Sequence, residues 1–184
     1  NNIILIFDEI SSGFRINNGG IHMEFGVYPD IAIFGKAISN GFPFSAVIGR
    51  KKIMTIAEET FISSTYWTEA IGSTAALATM TKYIKCNVAN HLKSIGNYFC
   101  TELKTIAKKT NINLSISGLP SMIHFSFNYD NHQAIKTFFT QEMLAQGYLA
   151  TTSLYLTYMH KKEDIDLYLT QIHKVFLLIA NGID

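Results

Sequence analysis

Asp8 and Lys36 are the two residues whose types and settings could do chemistry together, and they stand 28 positions apart. Asp8 closes the apolar run Ile3-Ile4-Leu5-Ile6-Phe7. An apolar run of that length stopped by an acid predicts a buried strand of an α/β sheet. A second run, Ile31-Ala32-Ile33-Phe34, stops at Gly35 and then Lys36. Ligands of open α/β sheets sit beyond the carboxyl ends of the strands, so both groups are expected at a ligand-binding edge. A lysine presented there, with Gly35 and Gly41 around it, could form a Schiff base. An acid at the neighbouring strand end could hold a proton on a heterocyclic nitrogen. Taken alone, Lys36 is an ordinary solvated lysine at a loop mouth; its pairing with Asp8 gives it a second reading.

The elements that must position these two residues follow in chain order. Gly13 to Pro29 reads as a loop, with a turn at Asn17-Asn18-Gly19-Gly20, where Asn and Gly accept positive φ. Arg15 in this loop reads as a loop-pinning arginine. His22 has no second ligand at metal spacing, so no metal site is expected. Phe44 to Ile48 predicts a short strand whose small Ser45 and Ala46 let it pass close to the lysine. A short helix over 51–57 and a loop over 58–64 come next. Glu69 to Lys85 predicts a helix, and the hydroxyls of Ser63, Ser64, Thr65 and Thr68 just before it read as helix caps.

From Val88 the character changes. Ala89, Leu92, Ile95, Phe99, Leu103 and Ile106 recur at steps of three and four, the pattern of a long amphipathic helix. Strand character follows over 111–117 and 122–127, where His124 reads as a sheet residue rather than a catalyst. A helix over 132–146 is expected, capped by Asp130 or Asn131 and closed by Gly147. Short apolar segments over 148–152 and 154–158 precede a last helix over 162–179, with Asp164 and Asp166 near its start. The organisation is two-part: residues 1–85, and a smaller α/β domain over 86–184.

Composition excludes several classes. The chain has 184 residues, 48% of them hydrophobic, which suffices for a real core and argues against disorder. Its net charge of +1 offers no basic field for nucleic acid. Two cysteines, Cys86 and Cys100, make no disulfide framework and fit a reducing, cytoplasmic setting. No apolar run approaches the roughly 18 residues of a membrane span. Gly35-Lys36 lacks the glycine-rich lead and the following Ser/Thr of a phosphate-binding P-loop.

Three segments in order resemble a known family. Phe7-Asp8-Glu9-Ile10-Ser11-Ser12-Gly13-Phe14-Arg15 is similar to the "DEV..GFR" segment of the class III (subgroup II) pyridoxal-phosphate aminotransferases. The stretch from Pro29-Asp30-Ile31 through Gly35-Lys36 to Gly41-Phe42-Pro43 is similar to their "PD...GK...GG.P" segment. Phe61-Ile62-Ser63-Ser64-Thr65-Tyr66 resembles their "F.S(S/G)T" segment. Within that family the likeness is greatest to glutamate-1-semialdehyde aminomutase and its aminotransferase relatives. It is dense over residues 4 to about 80 and thin afterwards. Trp67-Thr68-Glu69-Ala70 departs from the family's "GNP".

The resemblance implies a fold-type I α/β transferase, with residues 1–85 as the end of the large cofactor domain and 86–184 as the small C-terminal domain. It implies pyridoxal 5'-phosphate as cofactor, with Lys36 as the Schiff-base lysine and Asp8 as the partner of the ring nitrogen. Ile10 would pack on the ring face, and Glu9 would organise the surroundings or cap the strand end. Arg15 would lie near the edge of the site. Thr65, with Ser64 beside it, would reach the cofactor phosphate of the other subunit in a homodimer. The reaction would pass an amino group between a small-molecule donor and a carbonyl acceptor; an intramolecular 2,1-aminomutase is the alternative. Family members are more than twice this length and carry their phosphate cradle and stacking aromatic in an N-terminal half. These residues therefore read as the C-terminal part of a larger protein, with catalysis expected of the whole rather than of the part. A non-catalytic binding module that kept the fold is the third reading.

Overall fold

A computed structural model describes residues 3–182; Asn1, Asn2, Ile183 and Asp184 lie outside the described residues. The chain divides into two compact units, Asn1–Asn90 and His91–Asp184.

The first unit is built on a three-stranded mixed sheet in the order β1 (Ile6–Asp8), β2 (Ile31–Phe34), β3 (Ala46–Gly49). β1 runs parallel to β2 with Asp8 opposite Ile33, and β2 runs antiparallel to β3 with Phe34 opposite Ala46. The alternation of β2 puts Ala32 and Phe34 inward, where they join Ile38 in a small core lined by Phe14, Phe44, Ala46 and Met80. Helix α3 (Ala70–Lys85) supplies Met80 and the buried Ala76 and Tyr83, and Tyr83 meets the Phe14 ring edge-on. The close approach of α3 depends on Gly72, where a Cβ would stand 2.5 Å from the Pro43 carbonyl oxygen.

Three expectations need correction here. The run Ile3–Phe7 is strand only at Ile6 and Phe7, which belong to β1, and within this chain Ile3, Ile4, Leu5 and Ile6 are exposed. The physical reason is that β1 is an edge strand with β2 as its neighbour in this sheet. The stretch from Gly13 to Pro29 is not all loop, since α1 (His22–Phe25) forms one turn there and stops at Gly26 with φ 64°. The segment after β3 splits into α2 (Lys51–Met54) and a 3-10 turn over Thr55–Glu59.

The second unit packs an antiparallel sheet, β4 (Leu114–Leu119), β5 (Met122–Phe127) and β6 (Ser153–Tyr155), against helices. Helix α4 (Val88–Lys109) enters this unit from the first; α5 (His132–Ala145) and α6 (Lys162–Gly182) complete it. Phe99 of α4, Phe139 of α5 and Phe176 of α6 are fully buried. Phe139 also meets the inward rings Phe125 and Phe127 of β5, and Phe176 meets Phe127 and Phe139. Each such side chain contributes about 1.5–3 kcal/mol by leaving water. α5 closes as its sequence predicts. Gly147 takes φ 84°, its N–H reaches the Leu144 carbonyl, and the Tyr148 N–H reaches that of Met143. Of the two apolar segments expected after it, 148–152 forms no strand and the second yields only β6.

Candidate functional site

The parallel register of β1 and β2 places both carboxyl ends at one edge of the first sheet. Pairing runs one residue past β1, because the Glu9 N–H donates to the Ile33 carbonyl at 2.8 Å. Asp8 therefore leaves the sheet with its direction fixed. Its side chain is exposed, and its Oδ1 accepts the Ile10 N–H at 3.0 Å, which shapes the turn that follows.

Lys36 opens a 3-10 turn (Lys36–Ile38) directly beyond β2. Its backbone sits at φ 48°, a left-handed conformation that costs a side-chain-bearing residue roughly 1–2 kcal/mol. Buried neighbours hold it there. Gly35 is buried before it, and Ile38 and Ser39 are buried after it, with Ser39 Oγ donating to the Phe42 carbonyl at 2.6 Å. The strained turn thus carries an exposed lysine on a buried base, the kind of outlier that concentrates at functional sites. Ile10 packs over Gly35, where a Cβ would meet the Ile10 Cγ2 at 3.4 Å. The Lys36 ammonium donates to Ser11 Oγ.

Glu9 faces the other way. It is 1% exposed, and its carboxylate accepts Ser12 Oγ at 2.5 Å, the Ile21 N–H at 2.9 Å and the His22 N–H at 3.0 Å. The His22 ring pairs with it at 3.0 Å through Nδ1. Burial alone would raise the Glu9 pKa, but the hydrogen bonds from Ser12, Ile21 and His22 outweigh it and hold the group below its ordinary value. Of the two roles open to it, organising the surroundings fits this cage: Glu9 ties residues 9–12 to the start of α1. Arg15 pins the same loop, as Nε donates to the Ser11 carbonyl at 3.1 Å.

A pH prediction follows from the Glu9 cage. A carboxylate whose folded pKa is depressed stabilises the fold above its unfolded value, near 4.5, and loses that contribution as pH falls through the folded value. Resistance of the full-length protein to urea is expected to weaken below about pH 4.5. Glu9→Gln should flatten that acid limb and cost about 1–3 kcal/mol at neutral pH, because an amide cannot accept all four donors. An unchanged acid limb in the variant would show that Glu9 carries none of it.

Ser64 and Thr65 lie in the exposed segment ahead of α3, and the turn over Thr65–Thr68 holds no cap for the helix. The cap is Glu69, whose carboxylate accepts the Ile71 N–H at 2.6 Å and the Gly72 N–H at 2.9 Å. The expectation that Ser63, Ser64, Thr65 or Thr68 caps this helix is corrected by that observation, and the helix begins at Ala70, one residue later than expected. Ser64 Oγ instead accepts the Tyr66 N–H at 3.3 Å. Asp8, Ile10 and Lys36 share one sheet edge, with Glu9 turned inward beneath them.

No cluster of His, Cys, Asp or Glu that could hold a metal is present among the described residues. A cavity of about 260 Å³ lies in the second unit, lined by Tyr148, His160, Asp164 and Tyr168 among others. Its polar groups serve the chain itself: His160 Nδ1 accepts the Thr157 N–H at 3.0 Å and Asp164 Oδ2 the Lys161 N–H at 2.9 Å. Burial pushes the Tyr168 phenol up to about 12, so it remains protonated. Sequence reasoning missed Ser11, Ser12 and His22 as parts of the sheet edge that carries Asp8 and Lys36. Only the turn signal at Asn17–Gly20, which brings the chain back toward Glu9, pointed to the contact with His22.

The class-III aminotransferase family model matches residues 1–176. The chain is 30% identical over 168 residues to a 3-aminobutyryl-CoA aminotransferase of Cloacimonas acidaminovorans (strain Evry), covering 88% of this chain and 41% of the relative. It is likewise 30% identical over 202 residues to a glutamate-1-semialdehyde 2,1-aminomutase of Wigglesworthia glossinidia brevipalpis, covering 99% of this chain and 46% of that protein. The chain thus spans less than half the length of these curated relatives. Among solved structures it is similar to the FumI protein of Sphingopyxis sp. MTA144 in its PLP internal aldimine form. The TM-score there is 0.90 at 22% identity, over 97% of this chain and 44% of that one. An omega-transaminase from Sphaerobacter thermophilus gives a TM-score of 0.88 at 20% identity, over 98% of this chain and 45% of that one. The fold is therefore α/β and corresponds to a part of the PLP-dependent transaminase fold.

Proposed function

The chain belongs to the class-III aminotransferase family, and from that premise we propose that the whole protein transfers an amino group between a small-molecule amine or amino acid and a carbonyl acceptor. The observation that carries this reading is the exposed Lys36 amine on its strained turn, at the same sheet edge as Asp8. The residues present fit pyridoxal phosphate by their chemistry: a primary amine for its aldehyde, a carboxylate for its ring nitrogen and an aliphatic side chain for its ring face. When bound, that group supplies an electron sink for the substrate carbon.

The chain's own residues do the rest. Lys36 Nζ would hold the cofactor and, as a free amine, would carry a proton away from the substrate carbon. Asp8 holds a proton on the ring nitrogen. Ile10, seated over Gly35, covers one ring face and keeps water from it. Glu9 acts one layer back by fixing the loop that carries Ile10 and Ser11. Thr65, with Ser64 beside it, reaches the cofactor phosphate of a second copy in a two-fold homodimer. Its exposure and its absence from the α3 cap are consistent with that role. In this reading residues 1–85 belong to the large cofactor-binding domain and 86–184 form the small one. The free thiols Cys86 and Cys100 suit a cytoplasmic setting. No described helix is long and apolar enough to cross a membrane.

A second reading has a specific support, since several relatives are named glutamate-1-semialdehyde 2,1-aminomutase. There the donor and the acceptor are one molecule. The test of the common core is chemical. Full-length protein incubated with pyridoxal phosphate and reduced with borohydride is expected to carry the cofactor on Lys36, read by peptide mass mapping. Label on another lysine, or none on folded protein, would sink the assignment. Sedimentation of the same preparation reads the dimer, and supplying one substrate against a donor–acceptor pair separates the aminomutase from the aminotransferase.

A further inference from the structure

Ser11 is half-buried and is held from both ends: its carbonyl accepts Arg15 Nε at 3.1 Å, and its hydroxyl receives the Lys36 ammonium. The residues around it are fixed as well. Asp8 Oδ1 takes the Ile10 N–H, Glu9 takes Ser12 Oγ, and the Gly13 N–H donates to the Glu9 carbonyl at 2.8 Å. Every residue from Asp8 to Gly13 thus has a backbone or side-chain bond that holds the loop carrying Ser11. An exposed lysine on its own samples many rotamers, and a preset acceptor selects one of them.

We propose that Ser11 is the positioning residue of the Lys36 amine, a proposal that rests on Lys36 being the cofactor lysine. A hydroxyl suits this task better than a carboxylate. It accepts from a charged ammonium and donates to a neutral amine, so the contact survives the change of charge that precedes attack on a carbonyl carbon. A carboxylate at position 11 would hold only the ammonium. Arg15 and the Glu9 cage act on Lys36 through this one hydroxyl, which connects the loop after β1 to the turn after β2.

The test reads the contact before any cofactor is added. Full-length wild type, Ser11→Ala and Ser11→Thr are pulse-labelled with trace acetic anhydride. Acetylation of Lys36 is then measured relative to the exposed Lys51 and Lys52 of the same molecules. Loss of the acceptor is expected to raise the Lys36 ratio roughly 2- to 12-fold in Ser11→Ala, the factor that one hydrogen bond supports. Ser11→Thr, which keeps the hydroxyl, should stay within about twofold of wild type, a rescue that general loosening would not produce. An unshifted ratio in Ser11→Ala overturns the proposal, whether or not the protein takes up cofactor. In a second arm, borohydride-trapped pyridoxal phosphate on Lys36 should accumulate more slowly in Ser11→Ala and normally in Ser11→Thr. A shifted acetylation ratio with no cofactor uptake by wild type supports the Ser11–Lys36 contact and overturns the cofactor reading instead.

Discussion

Lys36→Ala in the full-length protein is expected to lose both the borohydride-fixed cofactor and nearly all turnover. The two groups described beside it at the sheet edge cannot replace the amine, since Asp8 is an acid and Ser11 a hydroxyl bonded to the lysine itself. A group that moves a proton in the rate-limiting step is worth about 100- to 10,000-fold, and the loss of covalent attachment adds to that. Backbone strain does not confuse the outcome, because alanine and lysine pay similarly for φ 48°. Lys36→Arg separates charge from chemistry: it keeps a cation beside Ser11 but cannot form the bond, so it should be as inactive as alanine. Steady-state rates with a matched donor and acceptor, on protein shown folded by circular dichroism, make the measurement. Turnover within about tenfold of wild type in Lys36→Ala would remove the lysine from the mechanism.

Much of this site was legible in the sequence because it is local. Two apolar runs, each ending at a chemically capable residue, reported both strand ends, and the parallel register then brought Asp8 and Lys36 to one edge. The long helices were legible for a similar reason: α4 and α6 repeat their apolar residues at helical spacing over many turns. What escaped was set by contacts distant in sequence. The exposure of Ile3 to Ile6 depends on how many strands flank β1, which no single segment reports. The inward turn of Glu9 depends on His22 arriving thirteen residues later. Ser11 was passed over because a serine within a run of loop residues carries no pattern, and only the fold of the Lys36 turn gives it a partner. The cap of α3 was misread because four hydroxyls preceded the helix and outnumbered the one glutamate whose side chain could reach two free N–H groups.

Asp8→Asn is expected to leave cofactor bound yet slow its chemistry by at least about 100-fold. The substitution isolates charge from shape. Asparagine retains an oxygen that can accept the Ile10 N–H, so the turn after β1 and the placement of Ile10 and Ser11 should persist. It loses the negative charge that holds a proton on the ring nitrogen. Removing one partner of a covered ion pair costs roughly 3–5 kcal/mol. In the isolated chain Asp8 is exposed, so the full cost applies only once bound ligand excludes water from it. Part of that cost falls on binding and part on the barrier, where each tenfold in rate is about 1.4 kcal/mol. A single-turnover half-reaction with an amine donor reads the barrier alone, and cofactor retention on gel filtration reads binding. Wild-type half-reaction rates in Asp8→Asn would reduce Asp8 to the shaper of the Ile10 turn.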